Sequence, residues 1–521
     1  MTGGLLVLPV AGPLLLSGLL ALLHHLRPHT TRLDRVVGPA AAGGVLVFAG
    51  FLLAATSDGS VPVLHLGGWQ PGIAIVFAAD TFSAVMLAVT SFLVLVSLPF
   101  AAALGEDEDP AFVPLVLVLM AGVSGALLTA DLFNLFVFIE VMLVPSYLLF
   151  AAGGGAERLA AARLYVSISL MASTVLLAGV GLVYGAAGTV NLGELAGAGE
   201  SSPAVGVAAA VALLALSVKS AVVPLHGWLP QTYSRTGPAV AALFSGLLTK
   251  VGVYAVIRLY SVVYEGAPRY LWVIMAAALL TMVIGVLGAV GEHAMRPVLT
   301  FHMVNQIGYV FVGLALFTTA GLSATVFFLV QYVLVKTALL MCAGVVEHRY
   351  RTGELDRLGG LARREPLLAG TFAVAALTLA GIPPLSGFVA KLGLASAAAS
   401  AGQHLAVALV VGVSLLTLLS MVKLWNGVFW EPRAEDAGDE DAVHEDAGDG
   451  AGAAPGAAGG APAVGSAVGS RVRPLVLAPP MVLAAAAVVL GLWAEPLLSI
   501  STAAGAGLAD PSGYVAAVTG R

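Results

Sequence analysis

Charge, lysine and cysteine are all scarce in this chain of 521 residues. Only 10% of it is charged and 59% is hydrophobic, with a mean hydropathy of +0.99. Ordinary water-soluble domains are about one-quarter charged, so this composition excludes them and matches a polytopic membrane protein. The one cysteine, Cys342, excludes an internal disulfide and any thiolate-bound iron–sulfur cluster. Neither standard spacing of a Gly-rich nucleotide loop occurs. Electrons of any associated redox chemistry therefore travel elsewhere, and the residues point to no cofactor, metal or nucleic acid. The N-terminus, MTGGLLVLPV, lacks the basic start of a cleaved signal, so the first apolar segment reads as a retained span.

Lysine is the most informative shortage. There are five, and each lies inside an apolar stretch: Lys219 in LLALSVKSAVV, Lys250 in SGLLTKVGVYA, Lys336 in QYVLVKTALLM, Lys391 in SGFVAKLGLAS and Lys423 in LSMVKLWNG. Soluble proteins keep lysine on the surface. Here eighteen arginines supply the surface charge, and all are expected in loops or at segment ends. One acid joins the buried set, Glu140 in LFVFIEVMLV. An ionisable group at the centre of a membrane helix costs roughly 3 kcal/mol, which makes each a functional candidate. Lys219, Lys250, Lys336 and Lys391 fall near the middle of their spans, too deep to reach water comfortably. A buried amine can take up and release a proton, as a guanidinium cannot. One carboxylate cannot neutralise four amines, so helix-locking ion pairs account for Glu140 and one partner only. The set reads as a proton-carrying row. Lys423 lies near the end of its span beside Trp425 and Trp430, where snorkelling serves as well as function.

Fourteen apolar spans are expected, at about 5–25, 36–56, 74–102, 111–130, 132–152, 163–187, 204–224, 239–261, 271–291, 297–318, 322–345, 367–396, 404–429 and 476–498. Fifteen arginines then fall on one side, against Arg258, Arg269 and Arg521 on the other. The positive-inside rule puts the arginine-rich loops in the cytoplasm and both termini outside. Two spans carry breakers beside a lysine. Pro224 follows Lys219 in SVKSAVVPLHGWLP, and Gly381, Pro383 and Pro384 precede Lys391 in LAGIPPLSGFVAK. Broken helices at membrane depth belong where they line a cavity or are buried in protein. Two of them in corresponding places point to an inverted-repeat transporter. Residues 434–470, with AEDAGDEDAVHEDAGDG and then Gly, Ala, Pro and Ser, cannot bury apolar surface and read as a disordered cytoplasmic linker. The expected organisation is spans 1–3 in 1–105, a first repeat in 106–265 and a second in 266–430. A linker in 431–475 and a last span with its tail in 476–521 complete it.

Proton hops need polar groups or water between the amines. Ser217, Ser220, Ser245, Thr249, His302, Asn305, Gln306, Tyr309, Gln331 and Thr337 lie inside the spans and are candidates. His302, which heads FHMVNQIGY, is either a relay or a packed, hydrogen-bonded histidine. Asp80 and Asp131 stand at span starts, where helix N-capping explains them. His226, just past the first break, is placed to face a cytoplasmic proton route.

The runs DLFNLFVFIEVMLVPSYLL, SVKSAVVPLHGWLP, ALFSGLLTKVGVYAVIR, FHMVNQIGY and LAGIPPLSGFVAK, spread over roughly 75–430, carry a family resemblance. The chain resembles the antiporter-like membrane subunits shared by respiratory complex I and Mrp-type cation/proton antiporters, and the wording around Glu140 and Lys250 is nearest the Mrp branch. The resemblance implies an all-α fold of about fourteen transmembrane helices. Spans four to eight and nine to thirteen would form inverted five-helix repeats, with spans seven and twelve broken. It further implies a glutamate–lysine pair, here Glu140 and Lys219, a central lysine, Lys250, and a distal one, Lys391. Relatives commonly carry histidine a few residues before the lysine of the eleventh span. Here Gln331 and Tyr332 precede Lys336, so either His302 and water serve that stretch or the path differs there. The function implied is a non-enzymatic, proton-translocating subunit of a multi-subunit Na⁺ or K⁺/proton antiporter in the cell membrane. Its partners would be the other antiporter subunits, protons, monovalent cations and the bilayer. The alternative is a proton-pumping membrane subunit of an NADH:quinone oxidoreductase or membrane hydrogenase.

Overall fold

The computed structural model describes residues 3–26, 31–69, 74–430 and 472–520. The acidic linker expected at 434–470 lies outside the described residues. Helices dominate, as hydrocarbon requires: a spanning backbone must satisfy its own N–H and C=O groups. In chain order they are α1 Leu8–Leu26, α2 Thr31–Ala55, α3 Thr81–Leu104, α4 Phe112–Leu128, α5 Leu132–Ala151 and α6 Ala156–Ala187. Next come the short α7 Ala198–Ser201, then α8 Pro203–Lys219, α9 Trp228–Tyr233, α10 Pro238–Val263, α11 Leu271–Gly291, α12 Met295–Leu316 and α13 Thr319–Tyr350. After α14 Leu361–Arg364 follow α15 Pro366–Ala380, α16 Ser386–Ser400, α17 His404–Trp425, α18 Pro474–Leu492, α19 Glu495–Ala509 and α20 Ser512–Thr519. A small antiparallel ribbon, β1 Val63–His65 with β2 Val76–Ala78, joins α2 to α3. Among the described residues eleven helices are long and apolar enough to cross a membrane, and α4, α8 and α15 are shorter apolar helices.

Burial separates these helices into a centre and a rim. The apolar stretches of α10 and α13 are buried along their whole length and α12 nearly so, while α1, α2, α11, α17 and α18 are each about one-third buried. A helix apolar on all sides belongs in the middle of a bundle, so Lys250 and Lys336 stand at the core. The α11–α12 pair closes through Gly285 and Gly308, where a Cβ would run into Asn305 and Met282.

Both expected breaks are present. Helix α8 stops at Lys219, and residues 220–227 leave the helix before α9 resumes. Helix α15 stops at Ala380; Gly381 turns the chain with a left-handed φ of 89°, and α16 begins at Ser386. The first break comes earlier than the expected span end at 224. The freed groups find partners: Trp228 Nε1 donates to Val218 O at 3.0 Å, and Val223 N donates to Thr281 Oγ1 at 3.1 Å.

The end of the chain is more ordered than a tail. After α18 the chain breaks at Trp493 and continues as α19, which lies along the start of α13. Gly505 makes that approach possible, since a Cβ there would meet Ser323 Cα at 2.9 Å. Ser261 Oγ donates to Leu508 O at 2.5 Å.

One expectation about arginine is corrected. Arg258 is neither in a loop nor at the surface; it is buried inside α10 and paired with Asp80, Nη2 to Oδ2 at 2.6 Å. Asp80 is also the N-cap of α3, in a capping box with Ser83. Tyr514 of α20 lies under the Arg258 guanidinium at 4.5 Å. A charge that cannot be shed is thus matched by a carboxylate and an aromatic face. On the other face, Arg35 clamps Asp107 with two bonds of 2.6 and 3.0 Å, and Arg296 pairs with Glu347.

Candidate functional site: a row of buried amines

Each deep lysine has its own mooring. Lys219 is the last residue of α8, and its Nζ reaches across to α6, donating to Ser173 Oγ at 2.9 Å and Ser169 O at 3.5 Å. Beside it is a cavity of about 20 Å³ lined by Tyr165, Ile168, Ser169, Trp228 and Leu248, room for about one water. Glu140, one helix further out on α5, is partly exposed on a face that also carries Phe133, Val137 and Val144. Its charge acts on Lys219, but among the described residues no ion pair joins the two, and Glu140 Oε1 has no hydrogen-bond partner. The glutamate and lysine that the resemblance pairs are therefore not in ion-pair contact in this structure.

Lys250 sits mid-way along α10. Its Nζ donates to Ser245 O and to Thr249 Oγ1 at 3.3 Å, and lies 4.0 Å from the centre of the Tyr332 ring. Tyr332 is held by its own hydroxyl, which donates to Met303 O at 3.1 Å. Tyr332 thus supplies an aromatic face to the neighbouring ammonium.

Lys336, on α13, is different. It is 0% exposed, and its Nζ has no hydrogen-bond partner among the described residues. Thr337 Oγ1 and Gln331 Oε1 on the same helix, and His302 Nδ1 and Gln306 Oε1 on α12, share that condition. Buried polar atoms are normally bonded to protein or to ordered water, so this concentration marks a polar stretch within the core. Lys250 is within electrostatic reach of Lys336, and both Lys336 and Lys391 are within reach of His302. His302 Nε2 lies 3.0 Å from Ser420 Oγ on α17. Lys391 closes the row: its Nζ donates at 2.9 Å to Ala380 O, a carbonyl freed at the C-terminus of α15, and lies 4.9 Å from the Tyr309 ring. An ammonium suits that negative helix end.

Several other expected residues are used locally. The hydroxyls of Ser217, Ser220 and Ser245 bond to their own helices, and Asn305 donates to Met282 O at 2.7 Å. Lys423 caps the C-terminus of α11, donating to Val290 O at 2.9 Å and Glu292 O at 2.7 Å, which is a structural role. Asp131 caps α5 through Asn134 N at 2.7 Å. His226 lines an opening of about 930 Å³ on the arginine-rich face, with Arg158, Arg235, Arg296 and His348. Among the described residues no cluster of His, Cys, Asp and Glu could hold a metal. The residues that sequence reasoning missed are Tyr332 as a platform, Ser173 as the Lys219 acceptor, and Arg258. Only Arg258 left a signal, lying two helical turns past Lys250 in one apolar run.

Comparison with known proteins gives a consistent picture. The sequence profile of the family described as "NADH:quinone oxidoreductase/Mrp antiporter, TM" matches residues 129–417. The chain is 35% identical over 522 residues, 99% of each chain, to an Na(+)/H(+) antiporter subunit of Alkalihalophilus pseudofirmus. It is 33% identical to an Na(+)/H(+) antiporter subunit of Bacillus subtilis, over 82% of this chain and 87% of that one. A chain in the structure of the Mrp complex from Dietzia sp. DQ12-45-1b superposes with a TM-score of 0.90 at 45% identity, covering 99% of both. A chain of respiratory complex I from Thermus thermophilus shares the fold, with a TM-score of 0.76 at 23% identity, over 96% of this chain and 99% of that one.

Proposed function

The chain belongs to the NADH:quinone oxidoreductase/Mrp antiporter transmembrane family, and on that basis we propose that it is the proton-carrying subunit of a multi-subunit monovalent cation/proton antiporter of the Mrp type. The arginine-rich face, which includes His226, is the cytoplasmic one, and both termini lie outside. Protons move laterally from Lys219 through Lys250, Lys336 and His302 to Lys391. At each amine a new N–H bond forms as a proton arrives and another breaks as one leaves. Glu140 sets the charge balance at Lys219, and closing or opening their ion pair gates loading of the row. Moving one charge across 100 mV corresponds to about 2.3 kcal/mol, a step that one such pair can supply.

The observation that carries this reading is Lys336. A fully buried amine with no carboxylate and no hydrogen-bond partner among the described residues, within electrostatic reach of Lys250 and His302, is explained by no structural contact. The test is charge retention at Lys250. In everted vesicles carrying the full complex, Lys250→Arg should fail nearly as badly as Lys250→Ala, because arginine keeps its proton. Recovery of most transport with arginine would make Lys250 an electrostatic fixture and refute carriage. Co-purifying subunits test the setting: small membrane subunits alone fit the antiporter, and iron–sulfur subunits would overturn it.

A further inference from the structure

Lys219 and Lys250 stand on neighbouring helices, and an aromatic cluster packs beside them. Leu248, Trp228 and Tyr165 line the Lys219 cavity. Tyr233, the last residue of α9, belongs to the same cluster. Its ring packs edge-on against Phe150 at 5.5 Å, Trp228 at 6.0 Å and Phe244 at 6.4 Å. Tyr165 reaches the same ring set, 4.3 Å from Phe150 and 5.8 Å from Trp228. Tyr332, the platform beneath Lys250, lies within electrostatic reach of Tyr233. Tyr233 is thus connected to both amines, through Trp228 and Phe150 to the lining of the Lys219 cavity and through Tyr332 to Lys250.

The Tyr233 side chain is 0% exposed, and its hydroxyl has no hydrogen-bond partner among the described residues. Buried tyrosines usually bond their hydroxyl, and an unmade bond costs about 1–3 kcal/mol. Phenylalanine would fill the same ring position without that cost. Tyr165, by contrast, shares a 2.9 Å bond with Ser146.

We infer that the Tyr233 hydroxyl, with water bonded to it, is the relay group that passes protons between Lys219 and Lys250. This rests on the lysine-row reading. An arriving proton forms a new O–H bond on one side of the oxygen as the original proton leaves to water on the other. The phenol ends unchanged, and no oxidant or reductant takes part.

The experiment is transport by the full complex in everted vesicles, comparing Tyr233→Phe with Lys219→Ala, Lys250→Ala and Tyr233→His. Losing a positioned proton-transfer group should slow cation-driven proton movement about tenfold or more. Assembly and the half-saturating cation concentration should stay as in wild type, a split that a packing defect would not give. Tyr233→His, which restores a group able to pass a proton, should transport clearly faster than Tyr233→Phe. If Tyr233→Phe matches wild type while both lysine variants fail, this inference is wrong and the lysine row stands. If the lysine variants also transport normally, both fall. Equal losses in Tyr233→Phe and Tyr233→His, or failure of both to assemble, would make Tyr233 a packing residue and overturn the relay.

Discussion

Replacing Lys336 by methionine should abolish transport and leave the protein as stable as before, or more so. Methionine fills a similar, flexible volume without the amine. In the native chain the Lys336 Nζ is buried with no hydrogen-bond partner among the described residues. If charged, it costs about 3 kcal/mol at membrane depth. If neutral, its unmade hydrogen bonds cost roughly 1–3 kcal/mol. The charge of Lys250 within reach adds repulsion in the first case. Methionine removes each of these terms, so about 1–3 kcal/mol of stabilisation is expected. Lys391→Met makes the contrast, because it leaves the Ala380 carbonyl without the 2.9 Å donor it now has. That loss is of the same size and opposite sign. The order of melting temperatures in one detergent, followed by loss of the size-exclusion peak on heating, should be Lys336→Met at or above wild type and Lys391→Met below it. A melting temperature for Lys336→Met below that of Lys391→Met would refute the reasoning, because it would mean that the Lys336 amine holds helices together.

Glu140→Ala and Lys219→Ala should each abolish ion-driven transport while the chain still inserts; near-normal dissipation of a pH gradient in both would remove the pair as the gate. His302→Ala breaks the 3.0 Å contact with Ser420 and should slow transport most at alkaline pH, where protons to feed the row are scarce; rates identical to wild type from about neutral pH to about two units above it would reroute the second half of the path. Asp80→Asn should destabilise the protein by about 3–5 kcal/mol, since it strands the buried Arg258 guanidinium. Burial opposes the charge on Asp80, but Arg258 and the Ser83 N–H outweigh it and hold the carboxyl below its usual range. The stabilisation is thus present above about pH 4 and lost only as pH falls through that lowered value. The gap in melting temperature between Asp80→Asn and wild type should therefore be the same at about pH 5 as at pH 8, and a gap that closes at pH 5 would contradict the pairing.

Much of the architecture is legible from residues alone, and the reason is the solvent. Hydrocarbon leaves the backbone few choices, so apolar length translates directly into helices. Proline and glycine beside Lys219 and Lys391 mark the two interruptions because each removes or redirects a helix hydrogen bond. What stays hidden is which face of each helix meets which neighbour. Helices α10 and α13 are apolar on every side, so no periodic stripe tells where Lys250 or Lys336 points. Tyr332 illustrates the limit: its place four residues before Lys336 is visible, but its contact is with Lys250 on another helix. The lack of ion-pair contact between Glu140 and Lys219 is a matter of side-chain geometry across three helices, and no spacing reports it. Residues 499–509 read as a tail because their small residues, SISTAAGAG, give little hydropathy; the same small size lets α19 lie against Ser323.

Arginine and lysine are both buried in this bundle, and the structure treats them differently. Arg258 cannot shed its proton, so its burial demands a carboxylate, and Asp80 supplies one at 2.6 Å. Among the described residues none of Lys219, Lys250, Lys336 and Lys391 has a carboxylate in ion-pair contact. They meet hydroxyls, carbonyls and aromatic faces instead, groups that tolerate an amine in either protonation state. A carboxylate at each lysine would fix the proton in place and turn the row into a set of locks. Neutral moorings hold the amines at defined points without fixing a proton on them, and under the proposed function that distinguishes the four groups from Arg258, which its carboxylate clamps.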